Sequence, residues 1–167
     1  AYAITRCLVG SEICIRDRNV TLHADWEVPE GIKEVVLDSK AKRVGHGSQI
    51  INDISFDNGS ITFNTDAAKY VFDNKIALEI CPTSNVQCGA YSNVSEHSFG
   101  ELYKAGFNVT INTDNRLMSD ITMSEEVSNV VESFGLGEKD ILSITKNTID
   151  AGFVGQELKS KALEKLS

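Results

Sequence analysis

The sequence predicts an α/β fold built on a parallel sheet, and three observations carry that reading. Short β-branched runs alternate with longer stretches of helical spacing. Several helical stretches open on recognisable capping residues. Each β run ends in a polar or reactive side chain.

Taken in chain order, residues 1–18 place Ile4, Leu8, Ile13 and Ile15 at roughly helical spacing, which predicts a helix before the first strand. The first β run is 20–24, and a helix follows over 30–39. The second run is 43–47. Segment 52–64 breaks the alternation and predicts a loop or small hairpin turning at Asn58-Gly59. Thr65-Asp66 caps a helix over 65–74 that carries Ala68, Tyr70, Val71 and Phe72. The third run, 76–81, ends at Cys81-Pro82. A helix over 98–105 opens on Ser98-Phe99-Gly100-Glu101, which has the spacing of a capping box. The fourth run is 108–113. Thr122-Met123-Ser124-Glu125 is a second capping box and opens a helix over 124–133; helices at 138–150 and 155–166 complete the chain. Composition does not shift anywhere along the chain, so 1–167 reads as a single domain.

Composition narrows the function classes. With 41% hydrophobic residues there is material for a core, which excludes wholesale disorder. No apolar run reaches the length of a membrane span. The net charge of −8 comes with no cluster of Lys and Arg, so a nucleic-acid duplex has no electrostatic footprint here. Cys7, Cys14, Cys81 and Cys88 form no C-x-x-C pair and are too sparse for a disulfide scaffold; they read as reduced thiols of a cytoplasmic protein. Sequons begin at Asn19, Asn58, Asn93 and Asn108. They leave an extracellular setting open without arguing for it.

The polar strand ends carry the chemistry. They are His23 with Asp25, His46, Cys81 through Asn85, and Asp114 with Asn115. A (β/α) barrel delivers its site residues in this way, although any open parallel sheet gathers groups at the same end. Singly, His23 reads as a satisfied histidine, Asp114 as a turn cap, Trp26 as packing and His97 as a surface or capping residue. His46 stands between Gly45 and Gly47, which strip bulk from both sides and suit close approach of a ligand. Together, two imidazoles and a carboxylate at three strand ends are what a Zn²⁺ or Fe²⁺ hydrolase assembles.

These segments resemble the adenosine deaminase family of metal-dependent amidohydrolases. The resemblance rests on Leu22-His23-Ala24, on Arg43-Val44-Gly45-His46-Gly47, on Leu78 through Asn85, and on Asn112 through Ser119. Glu96-His97-Ser98-Phe99 and Thr145-Lys146-Asn147-Thr148 fit as well. It implies that the chain is the C-terminal half of a (β/α)8 TIM barrel, strands 5–8 with their helices. The H-x-H metal motif of the family's first strand is absent, because no two of His23, His46 and His97 are two apart.

The resemblance further implies one Zn²⁺ per complete site, with His23 and Asp114 as ligands here. It assigns His46 to assisting proton loss from the attacking hydroxide and stabilising developing charge. It assigns Asn115 to donating to purine N7. The family's H-A-G-E acid aligns with Trp26, flanked by Asp25 and Glu27. A one-residue insertion gives the acid role to Glu27, with Asp25 the other candidate. The implied reaction is hydrolytic deamination of a purine nucleoside, adenosine or deoxyadenosine, with this chain inactive without its N-terminal half. A non-catalytic half-barrel serving as an assembly or binding module, and a related adenine or aminopurine deaminase, are the alternatives. The expected partners are an N-terminal half-barrel or a second copy of this chain. A half-barrel would also leave Val44, Leu78, Ile80, Val109 and Ile111 partly open.

Overall fold

The computed structural model describes residues 19–24, 31–57 and 60–166. The helix expected over 1–18, the Asn58-Gly59 turn itself, and Asp25, Trp26 and Glu27 lie outside the described residues.

Four strands form one parallel sheet in the order β1-β2-β5-β6: β1 Thr21–Ala24, β2 Arg43–His46, β5 Ala77–Ile80 and β6 Val109–Ile111. Between β2 and β5 lies an antiparallel hairpin of β3 (Ile54–Asp57) and β4 (Ser60–Phe63). Its register pairs Asp57 with Ser60 and so brackets Asn58-Gly59, as the segment's composition predicts.

Helices connect the strands. α1 (Gly31–Lys33) runs into a π-helical turn over Glu34–Asp38. α2 (Asp66–Asp73) opens on Thr65, whose hydroxyl accepts the Ala68 N–H at 3.2 Å. α3 (Pro82–Gln87) begins directly after β5. α4 (Phe99–Lys104) precedes β6, and α5 (Arg116–Ser119) follows it. α6 (Met123–Phe134) carries the predicted capping box: Glu125 N–H reaches Thr122 Oγ1 at 3.3 Å, and Thr122 N–H reaches Glu125 Oε2 at 2.7 Å. α7 (Glu138–Ala151) and α8 (Gln156–Glu164) close the chain. Among the described residues, no helix is long and apolar enough to cross a membrane.

The two faces of the sheet differ. Val44, Leu78, Ile80, Val109 and Ile111 join Val35, Val71, Phe99, Leu102, Val130 and Ile144 in one buried cluster. These strand residues are therefore covered, contrary to the expectation that a half-barrel leaves them partly open. Alternation explains it: residues of this parity face the helices, and the opposite parity is polar or small. His23, Gly45, Glu79 and Thr110 form one row across the sheet; Thr21, Arg43 and Ala77 form the next. The polar members pair among themselves. Thr21 Oγ1 donates to Glu79 Oε2 at 2.7 Å, and Arg43 Nε lies 3.0 Å from Glu79 Oε1. Beyond α7, Phe153 places its ring 3.9 Å from the Arg43 guanidinium.

Candidate active site

His23, His46 and Asp114 meet at the C-terminal end of the sheet. His23 and His46 come from adjacent strands, with ring centroids 4.5 Å apart in an edge-on arrangement. His46 Nε2 lies 3.8 Å from Asp114 Oδ2. Both His46 (φ 58°) and Asp114 (φ 55°) hold left-handed backbone conformations. Strain of this kind gathers where the chain must turn a side chain toward a site.

The flanking glycines also have a reason within the fold. A Cβ on Gly45 would meet the His23 Cα at 3.3 Å. Gly47 has φ +71°, and a Cβ there would meet Leu78 Cδ2 at 2.9 Å and Val44 Cγ1 at 3.0 Å. The space beside His46 belongs to the neighbouring strand and to the core.

α3 holds the site from behind. Its Ser84 Oγ donates to Asp114 Oδ2 at 2.7 Å. Its Asn85 is buried and bridges two histidines: Nδ2 is 3.2 Å from His46 Nδ1, and Oδ1 is 3.1 Å from His97 Nε2. His97 Nδ1 accepts the Phe99 N–H at 3.0 Å. The sequence reading gave Ser84 and Asn85 no role, although both lie in the matching segment. It also placed His97 at the surface or on a cap; the capping half is right, but the residue is only 2% exposed. Tyr91 stacks on its ring at 4.0 Å. Burial, with His46 as a secondary cause, pushes the His97 pKa down to about 4. Ser98 makes no capping bond to its helix. Its hydroxyl donates instead to the Ser48 carbonyl at 3.1 Å and meets Tyr91 Oη at 2.8 Å.

The N-terminus of α3 is itself anchored. Pro82 opens it and has no N–H to satisfy, so Thr83 offers the first donor. That N–H is taken at 2.9 Å by Oε1 of Glu126, a fully buried carboxylate on α6. A carboxylate there complements the positive end of the helix. Cys81, at the end of β5, is buried, and its thiol is pushed up to about 12, first by desolvation and then by Asp114, Glu126 and Glu79. It is an inert packing thiol at neutral pH.

Asn115 caps α5: its Oδ1 accepts the Met118 N–H at 3.2 Å. With the oxygen so occupied, the amide NH₂ is the end left to donate. For a metal, His23 and Asp114 supply the right donor chemistry, imidazole nitrogen and carboxylate oxygen. Among the described residues, however, no group of three or more His, Cys, Asp and Glu side chains could hold an ion. The set fits zinc in kind and is short in number.

Solved structures of barrel amidohydrolases and deaminases superpose on this parallel sheet, which places the fold in their class. The adenine deaminase from Arthrobacter aurescens aligns over 97% of this chain and 46% of its own, with TM-score 0.82 and 20% identity, which bears on the fold. An N6-mAMP deaminase from Arabidopsis aligns over 97% of this chain and 44% of its own, with TM-score 0.74 and 26% identity. An amidohydrolase from Burkholderia ambifaria, solved with bound Zn, aligns over 93% and 44% with TM-score 0.70 and 20% identity. The family model for adenosine deaminase matches residues 12–167, and the chain belongs to that family. The adenosine deaminase of Mycobacterium bovis is 43% identical over 145 residues, 84% of this chain and 39% of that protein. That of Mycobacterium sp. strain JLS is 44% identical over 158 residues, covering 92% and 43%. The chain thus spans about two fifths of the length of the curated relatives it matches.

Proposed function

We propose that this chain supplies strands 5–8 and half of the active site of a zinc-dependent adenosine deaminase. The enzyme converts adenosine or deoxyadenosine to inosine or deoxyinosine and ammonia, and the chain needs an N-terminal half-barrel to act. The observation that supports this most is the convergence of His23 and His46, from adjacent strands, with Asp114, which follows β6 and is braced by Ser84.

His23 and Asp114 would hold the zinc, together with ligands from outside this chain. Zinc, when bound, makes water nucleophilic at neutral pH by lowering its pKa toward about 7. The net reaction adds water at C6 of the purine, protonates N1 and releases ammonia. Ser84 keeps one oxygen of Asp114 occupied and so fixes how that carboxylate faces the site. His46 stands beside both ligands, where its ring stabilises the charge that develops during attack. Glu27 delivers the proton to N1. Asn115 donates from its amide to N7 and holds the ring in register, a donation that requires no protonated carboxyl.

Turnover of adenosine by the barrel completed with an N-terminal half tests the assignment. Asp114→Ala abolishes deamination and zinc retention together. Glu27→Gln abolishes deamination while zinc stays bound, and Asp25→Asn costs far less. If Asp25→Asn is the dead variant, the two acids exchange roles. A completed barrel that binds zinc but leaves adenosine untouched refutes the substrate. The N6-mAMP deaminase neighbour then favours an aminopurine nucleotide.

A further inference from the structure

We propose that His97, acting through Asn85, fixes the tautomer of His46 and is a positioning residue for the site. The argument begins at a group with no freedom. A backbone N–H can only donate, so the Phe99 N–H at 3.0 Å requires a bare lone pair on His97 Nδ1. Neutral His97 then carries its proton on Nε2, and burial keeps the ring neutral. That N–H lies 3.1 Å from Asn85 and must meet the amide oxygen. The orientation of the Asn85 amide follows from this chemistry alone. Its NH₂ therefore faces His46 Nδ1 at 3.2 Å, where it can only donate. His46 Nδ1 must accept, and the ring's one proton sits on Nε2, the nitrogen 3.8 Å from Asp114 Oδ2.

Four groups in series thus translate the direction of one peptide bond into the proton position of a site histidine. Asn85 is 2% exposed and His46 8%, so water does not compete for these bonds. The consequence for turnover rests on the deaminase reading: with Nδ1 accepting from Asn85, His46 presents its Nε2–H as a hydrogen-bond donor to charge developing beside it. A histidine held in the wrong tautomer loses about 10⁴ in kcat in the serine-protease triad.

The test is ¹⁵N NMR on histidine-labelled protein, run on the complete barrel, with kinetics in parallel. Wild-type His46 shows its proton on Nε2 and an unprotonated Nδ1. Asn85→Asp replaces the donor facing Nδ1 with a carboxylate, so the proton moves to Nδ1 and kcat falls by about 10²–10⁴ while KM changes little. His97→Leu releases the Asn85 amide and gives a mixture of both tautomers. His97→Gln reaches Asn85 but loses the Phe99 N–H that sets the direction, so its amide can offer oxygen or NH₂ and this variant too gives a mixture of both tautomers. A wild-type proton on Nδ1, or an unchanged His46 spectrum in Asn85→Asp, overturns the relay. The wild-type spectrum decides alone if Asn85→Asp does not fold. If the spectra follow the series but adenosine is not turned over, the relay stands and the deaminase assignment fails.

Discussion

Acid should destabilise this fold through His97 before it protonates most of the carboxylates. The side chain is buried, neutral and engaged at both nitrogens. Its pKa is lowered from 6.5 to about 4, chiefly by desolvation. Between those values the unfolded chain binds a proton that the folded chain refuses, so stability rises with pH across the window and is lost as pH falls from 6.5 toward 4. At about 1.4 kcal/mol per unit, the loss from this one group reaches about 3 kcal/mol by pH 4. That is a large share of a typical net stability of about 5–15 kcal/mol. The assay is urea unfolding at pH 7, 5.5 and 4 for wild type and His97→Gln. The substituted amide does not titrate, and it leaves the Phe99 N–H without its acceptor, so the variant starts lower at pH 7. Carboxylates such as Asp140 and Glu125, both held below their usual values by capping bonds, contribute equally to both proteins. The difference between the two curves isolates residue 97. It should move by about 3 kcal/mol in favour of His97→Gln between pH 7 and pH 4. Parallel curves over that range refute the burial argument.

Two further outcomes follow from packing. Gly100→Ala should destabilise the fold, because its Cβ would lie 2.5 Å from Phe134 Cδ1; overpacking of about 1–3 kcal/mol outweighs a helix-propensity gain of about 1 kcal/mol, and thermal unfolding of the two proteins checks the sign. Among the described residues β1 and β6 form the edges of the sheet, so the isolated chain should self-associate through them; light scattering should give a mass that rises with concentration, and a constant monomer mass refutes this.

The alternation of β runs and helices was legible because β-branched clusters and helical spacing do not mimic each other over such lengths. The Asn58-Gly59 hairpin and the Thr122 cap were legible because each rests on local chemistry. α3 was missed. Its six residues, Pro-Thr-Ser-Asn-Val-Gln, carry no apolar period and read as the tail of a strand; Pro82 at a first helical position was the available signal. Ser98-Glu101 matched the spacing of a capping box, but Ser48, distant in sequence, and Tyr91, in the preceding loop, claimed the hydroxyl. His97 was misplaced for the same reason. Its burial comes from Tyr91 and Asn85 closing over it, and neither contact leaves a local pattern. In the site itself, the residues at strand ends were visible and the ones that brace them were not. Bracing is a tertiary relation, while a polar residue ending an apolar strand is a sequence relation.

The distribution of polarity across the sheet changes what the rest of a barrel would contribute. Had the inward face been apolar, closure would be driven by burial at roughly 25 cal/mol per Å². Here that face carries Thr21, His23, Arg43, Glu79 and Thr110, while the apolar parity is already under helices. Much of the inward polarity is also satisfied within the chain. Glu79 accepts from Thr21 and forms an ion pair with Arg43, and Thr110 Oγ1 donates to the Leu78 carbonyl at 3.2 Å and accepts from Asn112 at 2.9 Å. Among the described residues two needs remain: backbone pairing along β1 and β6 and, on the proposed function, further ligands to join His23 and Asp114 on a metal. Both are directional, and neither is met by nonspecific collapse. On the proposed function, a partner that closes this sheet would bring strands in register and metal-binding side chains at the same end. Core stability and site completion are for that reason separable in this fold: the first resides within these strands and helices, and the second depends on the wall opposite.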